Sequence, residues 1–247
     1  MKAVLFIHGF SAKKIDNKYF IDYLEKMPNI KVYSYTLPGH ENDKMSKVKY
    51  SKWIEASELE LQKVLEHHNK VTIVAHSMGC IIATNLAAKY KEVEKLVLIA
   101  PAFIYGNPKQ VEKDIKNIMT HKVDKDIGTG FEGAFRKLLE VPMYSWNEYL
   151  KMASANMKYI SKITCPTLIL YGSHDNLISL ESIQTIYDKL NCPKDLVIID
   201  RVRHQVFKSY KKDIITKYIY RFISFNILYK LRKKERIWKI VLRECKN

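Results

Sequence analysis

The chain has 247 residues, 47% of them hydrophobic, and its 42 Lys and Arg against 26 Asp and Glu leave a formal charge of +16. That hydrophobic share excludes a wholly disordered chain and suits an α/β domain of ordinary size. Four scattered cysteines (Cys80, Cys165, Cys192, Cys245) with no CxxC pair exclude a disulfide-stapled secreted fold and a zinc ribbon, and favour a reducing, cytoplasmic setting.

In chain order, the first apolar run, at 3–8, is too short for a signal peptide and no small-residue cleavage site follows it, so it reads as a strand. Further strands are expected at 30–36, 71–75, 96–100, 167–172 and 196–200. Most are continuous apolar runs, as befits strands buried on both faces. Between them, 51–68 has helical spacing through Trp53, Ile54, Leu61, Val64 and Leu65, and 78–90 is a second helix. This alternation predicts an α/β fold with a mostly parallel central sheet of about six strands flanked by helices.

The alternation breaks once, between Pro101 and Cys165, where helical patterns continue without a strand. Residues 103–162 are therefore expected to form a helical lid over a core built from 1–102 and 163–225. The lid side chains Phe103, Phe135, Leu139 and Trp146 are candidates to line an acyl pocket, although packing the cap onto the body is the commoner use of such residues. Only eight glycines occur. Gly106, Gly128, Gly130 and Gly133 fall in the lid, while Gly9, Gly39, Gly79 and Gly172 stand at or just beyond the carboxyl ends of expected strands, where open α/β sheets build their sites.

The charge is unevenly spread. Residues 201–247 carry 15 Lys or Arg against Asp213, Glu235 and Glu244, a net +12, whereas the first 200 hold 27 against 23, a net +4. From 226 to 247 the chain reads as a basic amphipathic helix, with Ile227, Leu231, Trp238, Val241, Leu242 and Cys245 on one stripe. Such a segment suits peripheral contact with an anionic membrane, here the inner surface. A terminal helix docked on the body, with a solvated basic face, is the plainer alternative. No run approaches the roughly 20 apolar residues that cross a bilayer. Nucleic acid is a poor partner, since the basic segment carries no recognised binding motif.

The chemistry centres on 75–79, Ala-His-Ser-Met-Gly, which lies between the strand at 71–75 and the helix that follows at once. A serine on a sharp strand-to-helix turn holds its hydroxyl above the sheet and tolerates only small neighbours. Taken alone, AxSxG after a strand is as easily an ordinary helix cap. A nucleophilic serine also needs a base to take its proton and an acid to orient that base. Asp175, in Gly-Ser-His-Asp, lies three residues past the strand at 167–172. His204 follows the strand at 196–200, so both reach the sheet edge that carries Ser77. The amide N-H of Met78, at the helix start, is a candidate donor to a developing oxyanion. His8 is expected to hold its own loop through a backbone hydrogen bond, and His40 to sit in a loop. His67 and His68 end a helix, and no third ligand accompanies them.

With His-Gly-Phe at 8–10, Leu-Pro-Gly-His at 37–40, Ala-His-Ser-Met-Gly at 75–79, Gly-Ser-His-Asp at 172–175 and His204, the chain resembles α/β-hydrolases of the bacterial carboxylesterase and monoacylglycerol lipase type over roughly residues 2–225. The resemblance implies Ser77 as nucleophile, Asp175 as acid, His204 as base, and the backbone N-H groups of Phe10 and Met78 as oxyanion hole. It implies a small-molecule ester of short or medium acyl chain, such as a monoacylglycerol, as substrate, and neither metal nor cofactor. Three departures stand out. The chain opens on what would be the third strand of the family, Val202 and Arg203 precede the histidine where glycine or serine is common, and Glu41 replaces a frequent glycine. A thioesterase, an acyltransferase or a carbon-carbon hydrolase would use the same three residues, and a non-catalytic membrane-binding module on a hydrolase scaffold is the alternative from another class. A haloalkane dehalogenase would need Asp at position 77 and is excluded.

Overall fold

The computed structural model describes residues 1–42, 44–106 and 141–225. The calls on Phe135, Leu139, the glycines at 128, 130 and 133, and the basic segment at 226–247 lie outside the described residues.

Six strands form one sheet: β1 (Lys2–Ile7), β2 (Ile30–Ser34), β3 (Val71–His76), β4 (Val93–Ile99), β5 (Thr167–Gly172) and β6 (Lys194–Ile199), in the order β2-β1-β3-β4-β5-β6. Every pairing is parallel. The expected strands all form, with β4 and β6 beginning earlier than the apolar pattern suggests. Charged residues at their amino ends interrupt the apolar run: Lys194 and Asp195 stay in register with β5, whereas the pairing of β4 with β3 shifts register at Glu94, between Val93 and Lys95.

Alternate residues of each strand feed two separate cores. Ala3, Leu5 and Ile7 of β1 face one core, closed by α2 (Tyr50–Leu65), α3 (Gly79–Lys89), α4 (Met143–Asn156) and α5 (Leu180–Lys189). Val4 and Phe6 face the other, closed by α1 (Lys18–Glu25) and α6 (Lys212–Ser224). On that second side Phe20 is one turn from Leu24, and its ring stacks on Phe207 at 4.5 Å. The start of α5 is fixed by Ser179, whose hydroxyl accepts the Ser182 N-H at 3.1 Å. α3 is buried along most of its length and makes the central prop under β3.

Lys95 ends the second core. Its residue is 5% exposed, and its ammonium donates to the carbonyls of Phe222, Ile223 and Phe225 at 2.9, 3.1 and 2.9 Å. These carbonyls belong to the last turn and C-cap of α6, where a cation also suits the helix dipole.

Within the stretch expected to form the lid, Met143–Asn156 is helical and Met157–Lys162 is a 3-10 turn, and both pack against α3. No helix among the described residues is long and apolar enough to cross a membrane.

Candidate active site

The chain passes from β1 outward to β2 and then returns to the other side of β1 as β3. Loops leaving the carboxyl ends of β1 and β3 therefore diverge and leave a crevice between them. The loop at 8–12 and the turn at Ser77 flank that crevice.

Ser77 has φ 55°, in the left-handed region that L side chains avoid. Its surroundings hold it there. The Ser77 N-H donates to the Ile99 carbonyl at 2.8 Å, and the Ser77 carbonyl accepts from the N-H of Cys80 at 3.0 Å and of Ala102 at 3.3 Å. Gly79 then lets α3 start hard against β1, since a Cβ at that position would lie 2.5 Å from the His8 carbonyl oxygen and 2.6 Å from that of Ile7. Gly9 also approaches the turn, with a Cβ there meeting the Ser77 Cβ at 3.0 Å.

The three residues singled out by motif and order meet in one hydrogen-bonded line. Ser77 Oγ lies 2.9 Å from His204 Nε2, and His204 Nδ1 lies 2.7 Å from Asp175 Oδ2. The other carboxylate oxygen, Asp175 Oδ1, accepts the N-H groups of Leu177 and Ile178 at 2.8 and 2.9 Å. Asp175 is fully buried, so these bonds replace the water that a carboxylate requires. With Asp175 accepting from Nδ1-H, the neutral imidazole presents a bare Nε2 to the serine hydroxyl.

The loop that delivers His204 is seated on Gly172. A Cβ there would come within 2.3 Å of the Val202 carbonyl oxygen, which accepts the His174 N-H at 3.0 Å. Val202 is itself fully buried in the second core. An apolar anchor thus occupies a place where the resemblance leads one to expect a small residue. The close approach is supplied from the β5 side instead.

Two buried histidines brace this arrangement. The Leu37 N-H donates to His8 Nε2 at 2.9 Å, which leaves Nδ1-H to donate to the Gly9 carbonyl at 2.8 Å. His8 thereby ties the loop after β1 to the Leu-Pro-Gly-His loop. That loop is pinned in turn by the Trp53 indole N-H on the Pro38 carbonyl at 2.9 Å. His76 Nε2-H donates to the His204 backbone carbonyl at 3.0 Å. Burial, followed by the charge of neighbouring imidazoles, lowers His8 to about 3 and His76 to about 4. His40 is buried between the His8 and Trp53 rings, with Nδ1 3.2 Å from the Pro38 carbonyl. His68 pairs with the Tyr33 hydroxyl at 2.9 Å.

Among the described residues, neither the Phe10 nor the Met78 amide N-H is engaged by a backbone carbonyl. Both lie beside the serine, one on the loop pressed against it and one next in sequence.

The cleft in front of Ser77 and His204 has an aromatic wall. Phe10 stacks on Tyr149 at 5.3 Å and meets Trp146 edge-on at 5.0 Å, and Tyr105 meets Trp146 at 5.2 Å. Of the lid candidates, Trp146 lines this wall. Phe103 instead packs into the first core at 5% exposure and does not reach the cleft, because the chain at 101–103 is still held against the sheet by the Ala102 N-H on Ser77. Tyr149 is a lining residue that sequence reasoning missed. The signal was its position three residues after Trp146, on the same helical face.

Ser77→Gly is expected to relieve the left-handed strain and stabilise the fold by about 1 kcal/mol, a rise of roughly 2–4 °C in Tm for a chain of this size. Ser77→Ala retains the strain, so a calorimetric comparison of the two variants separates the backbone effect from loss of the hydroxyl.

His8 and His76 titrate near 6.5 when unfolded and near 3 and 4 when folded, so between these values the unfolded chain binds protons that the folded one does not. Stability present at neutral pH should therefore fall as pH drops from about 6.5 toward 4. Thermal denaturation across that range checks it. A Tm that stays level down to pH 4 would mean that the two imidazoles are not held neutral.

Comparison with known proteins bears on the fold and the family. The family described as serine aminopeptidase, S33 matches residues 1–126, a span that includes the loop after β1 and the turn at Ser77. No curated protein matches the chain in sequence. Among solved structures, that of the metagenome-derived lipolytic enzymes LipS and LipT is 16% identical with a TM-score of 0.72, covering 90% of this chain and 92% of that one. The monoacylglycerol lipase of Paleococcus ferrophilus is 15% identical with a TM-score of 0.68, covering 90% and 93%. A soluble variant of the Saccharomyces cerevisiae monoglyceride lipase is 18% identical with a TM-score of 0.67, covering 90% and 86%. At these identities the structural likeness speaks for the fold, while the match over half the chain speaks for descent. The chain belongs to the serine aminopeptidase S33 family of α/β-hydrolases.

Proposed function

We propose that the chain is a serine esterase that cleaves carboxylic esters of short or medium acyl chain, monoacylglycerols among them. The observation that carries the reading is the continuous line from Ser77 Oγ through His204 to a buried Asp175. In this reading His204 Nε2 takes the Ser77 proton as Oγ attacks the ester carbonyl. Asp175 holds the imidazole's orientation and balances its charge. The oxyanion of the tetrahedral intermediate is met by the Phe10 and Met78 N-H groups. His204 then returns the proton to the departing alcohol, leaving an acyl-enzyme, and next activates the water that releases the acid.

The esters and glycerides named for the structural neighbours support this choice of bond. Against an aminopeptidase, the substrate ammonium would need an unengaged carboxylate in the cleft. Among the described residues, the carboxylate lining the cleft is that of Asp16, which already accepts the Lys13 N-H at 2.8 Å and faces Lys208 at 4.0 Å. The aromatic wall supports an apolar acyl group, and residues 103–162, taken as a lid, would complete the cover. The basic segment at 226–247 would then bear on where the enzyme sits, at an anionic membrane surface, and not on which bond it cleaves.

A fluorophosphonate should label Ser77 and no other residue, as located by mass spectrometry. Labelling should vanish in Ser77→Ala and slow by about 10²–10⁴-fold in His204→Ala. A folded chain that stays unlabelled overturns the reading. Hydrolysis of p-nitrophenyl esters should peak at a short or medium chain, and equal rates at all lengths would contradict an acyl pocket against the aromatic wall.

A further inference from the structure

Two of the scattered cysteines are neighbours in the fold. Cys165-Pro166 leads into β5 and Cys192-Pro193 leads into β6, so the same dipeptide stands before two adjacent strands. The ladder between them opens with Thr167 opposite Lys194, and the Thr167 N-H donates to the Pro193 carbonyl at 2.9 Å. Carried back two residues, this register sets Cys165 opposite Cys192. Neighbouring strands lie about 4.8 Å apart, within the Cα separation of roughly 4.4–6.8 Å that a disulfide spans.

The two side chains share a face. Both belong to the first core, together with Ile169 and Tyr171 of β5 and Leu196 and Ile198 of β6. They also share the Thr167 hydroxyl, which accepts from the Cys192 thiol at 3.4 Å, while the same side chain is hydrogen-bonded to the Cys165 thiol. Cys80 differs, being fully buried under the serine turn with its thiol on the Ala75 carbonyl at 3.2 Å. Cys165 and Cys192 are 8% and 9% exposed, and their neighbours Thr164, Asn191 and Pro193 are exposed, so the pair stands at the rim of the core within reach of a small oxidant.

We propose that Cys165 and Cys192 form a reversible disulfide site, and that its closure fastens the β5-α5-β6 crossover that carries Asp175 and delivers His204. The inference does not depend on which bond Ser77 attacks. One such pair makes no stapled fold, and in a reducing setting it stands as two thiols that a small disulfide such as oxidised glutathione would close. The Cys192 thiolate attacks one glutathione sulfur and expels a glutathione thiolate, which takes up the proton that Cys192 lost. The Cys165 thiolate then attacks the Cys192 sulfur and expels the second glutathione. Two protein thiols are oxidised to one disulfide, and one glutathione disulfide is reduced to two thiols.

Burial raises both thiols, Cys165 to about 12, while Thr167 and the Lys194 ammonium ease Cys192, which makes Cys192 the entering thiol and the exchange slow. The bridge would close a loop containing β5, Asp175 and α5, and so restrict the unfolded chain. It lies at the amino ends of the strands, away from the catalytic residues at their carboxyl ends, so closure should leave the chemistry alone.

The test incubates the full chain with oxidised glutathione or with dithiothreitol. The two cysteines fall in separate tryptic peptides, 163–189 and 190–194, which mass spectrometry should find joined after oxidation and separate after reduction. Oxidation should raise Tm by about 5–10 °C. That rise should be absent in Cys165→Ser and in Cys192→Ser, each compared with itself under the two conditions so that a lower starting Tm does not matter. The rate of fluorophosphonate labelling at Ser77 at room temperature should be the same in both forms. Glutathione stalled on one cysteine, a bridge to Cys80 or Cys245, or no bridge at all overturns the site. A bridge that leaves Tm level or lowers it, or that slows labelling, overturns the fastening role.

Discussion

Everything at the catalytic edge depends on one strained residue being kept in place. Ser77 stands in a backbone conformation that costs an L residue about 1 kcal/mol or more. It is retained because β3 is buried on both faces, α3 is wedged beneath it, and Gly79 lets backbone touch backbone where β1 ends. The strain lifts the hydroxyl out of the sheet and places the following N-H beside it. A relaxed turn would point the hydroxyl elsewhere and let the helix drift from the loop that carries Phe10. The cost is small beside the apolar surface buried by β3 and α3, so the fold can impose it.

The second half of the site is assembled by a similar contact at a distance. Gly172 ends β5 against the Val202 carbonyl, so the two loops that carry Asp175 and His204 are stacked before their side chains meet. The buried histidines complete the framework without entering the chemistry. His8 and His76 stay neutral because burial disfavours their charge, and each spends a ring N-H on a backbone carbonyl of a site loop. A lysine in either place would carry a charge into a space with no counter-ion, and an apolar residue would leave those carbonyls unmet.

Much of this was legible in the sequence because it is local. Strands buried on both faces announce themselves as unbroken apolar runs, and the serine turn needs only five residues to be recognised. The order Ser, Asp, His with each residue just past a strand is local too, once the strands are known. What escaped is convergence across long separations. Phe10 was marked for its backbone N-H, but its ring meets Tyr149 and Trp146 from a helix more than 130 residues away. Phe103 went astray for a related reason. Aromatic character suggested a pocket, whereas the chain there has not yet left the sheet. Val202 and Arg203 looked like a local irregularity and are accommodated by a glycine thirty residues earlier.

The clasp of Lys95 on the end of α6 also sets a direction. α6 starts beyond the His204 loop, at the catalytic edge, and runs back to the early part of β4, where the ammonium gathers the carbonyls of Phe222, Ile223 and Phe225. Phe225 therefore lies at the opposite end of the sheet to the cleft. Anything that gripped the molecule close to that point, whether a surface or an engineered tether, would hold it by its back, with the mouth of the cleft turned outward to meet substrate arriving from solution.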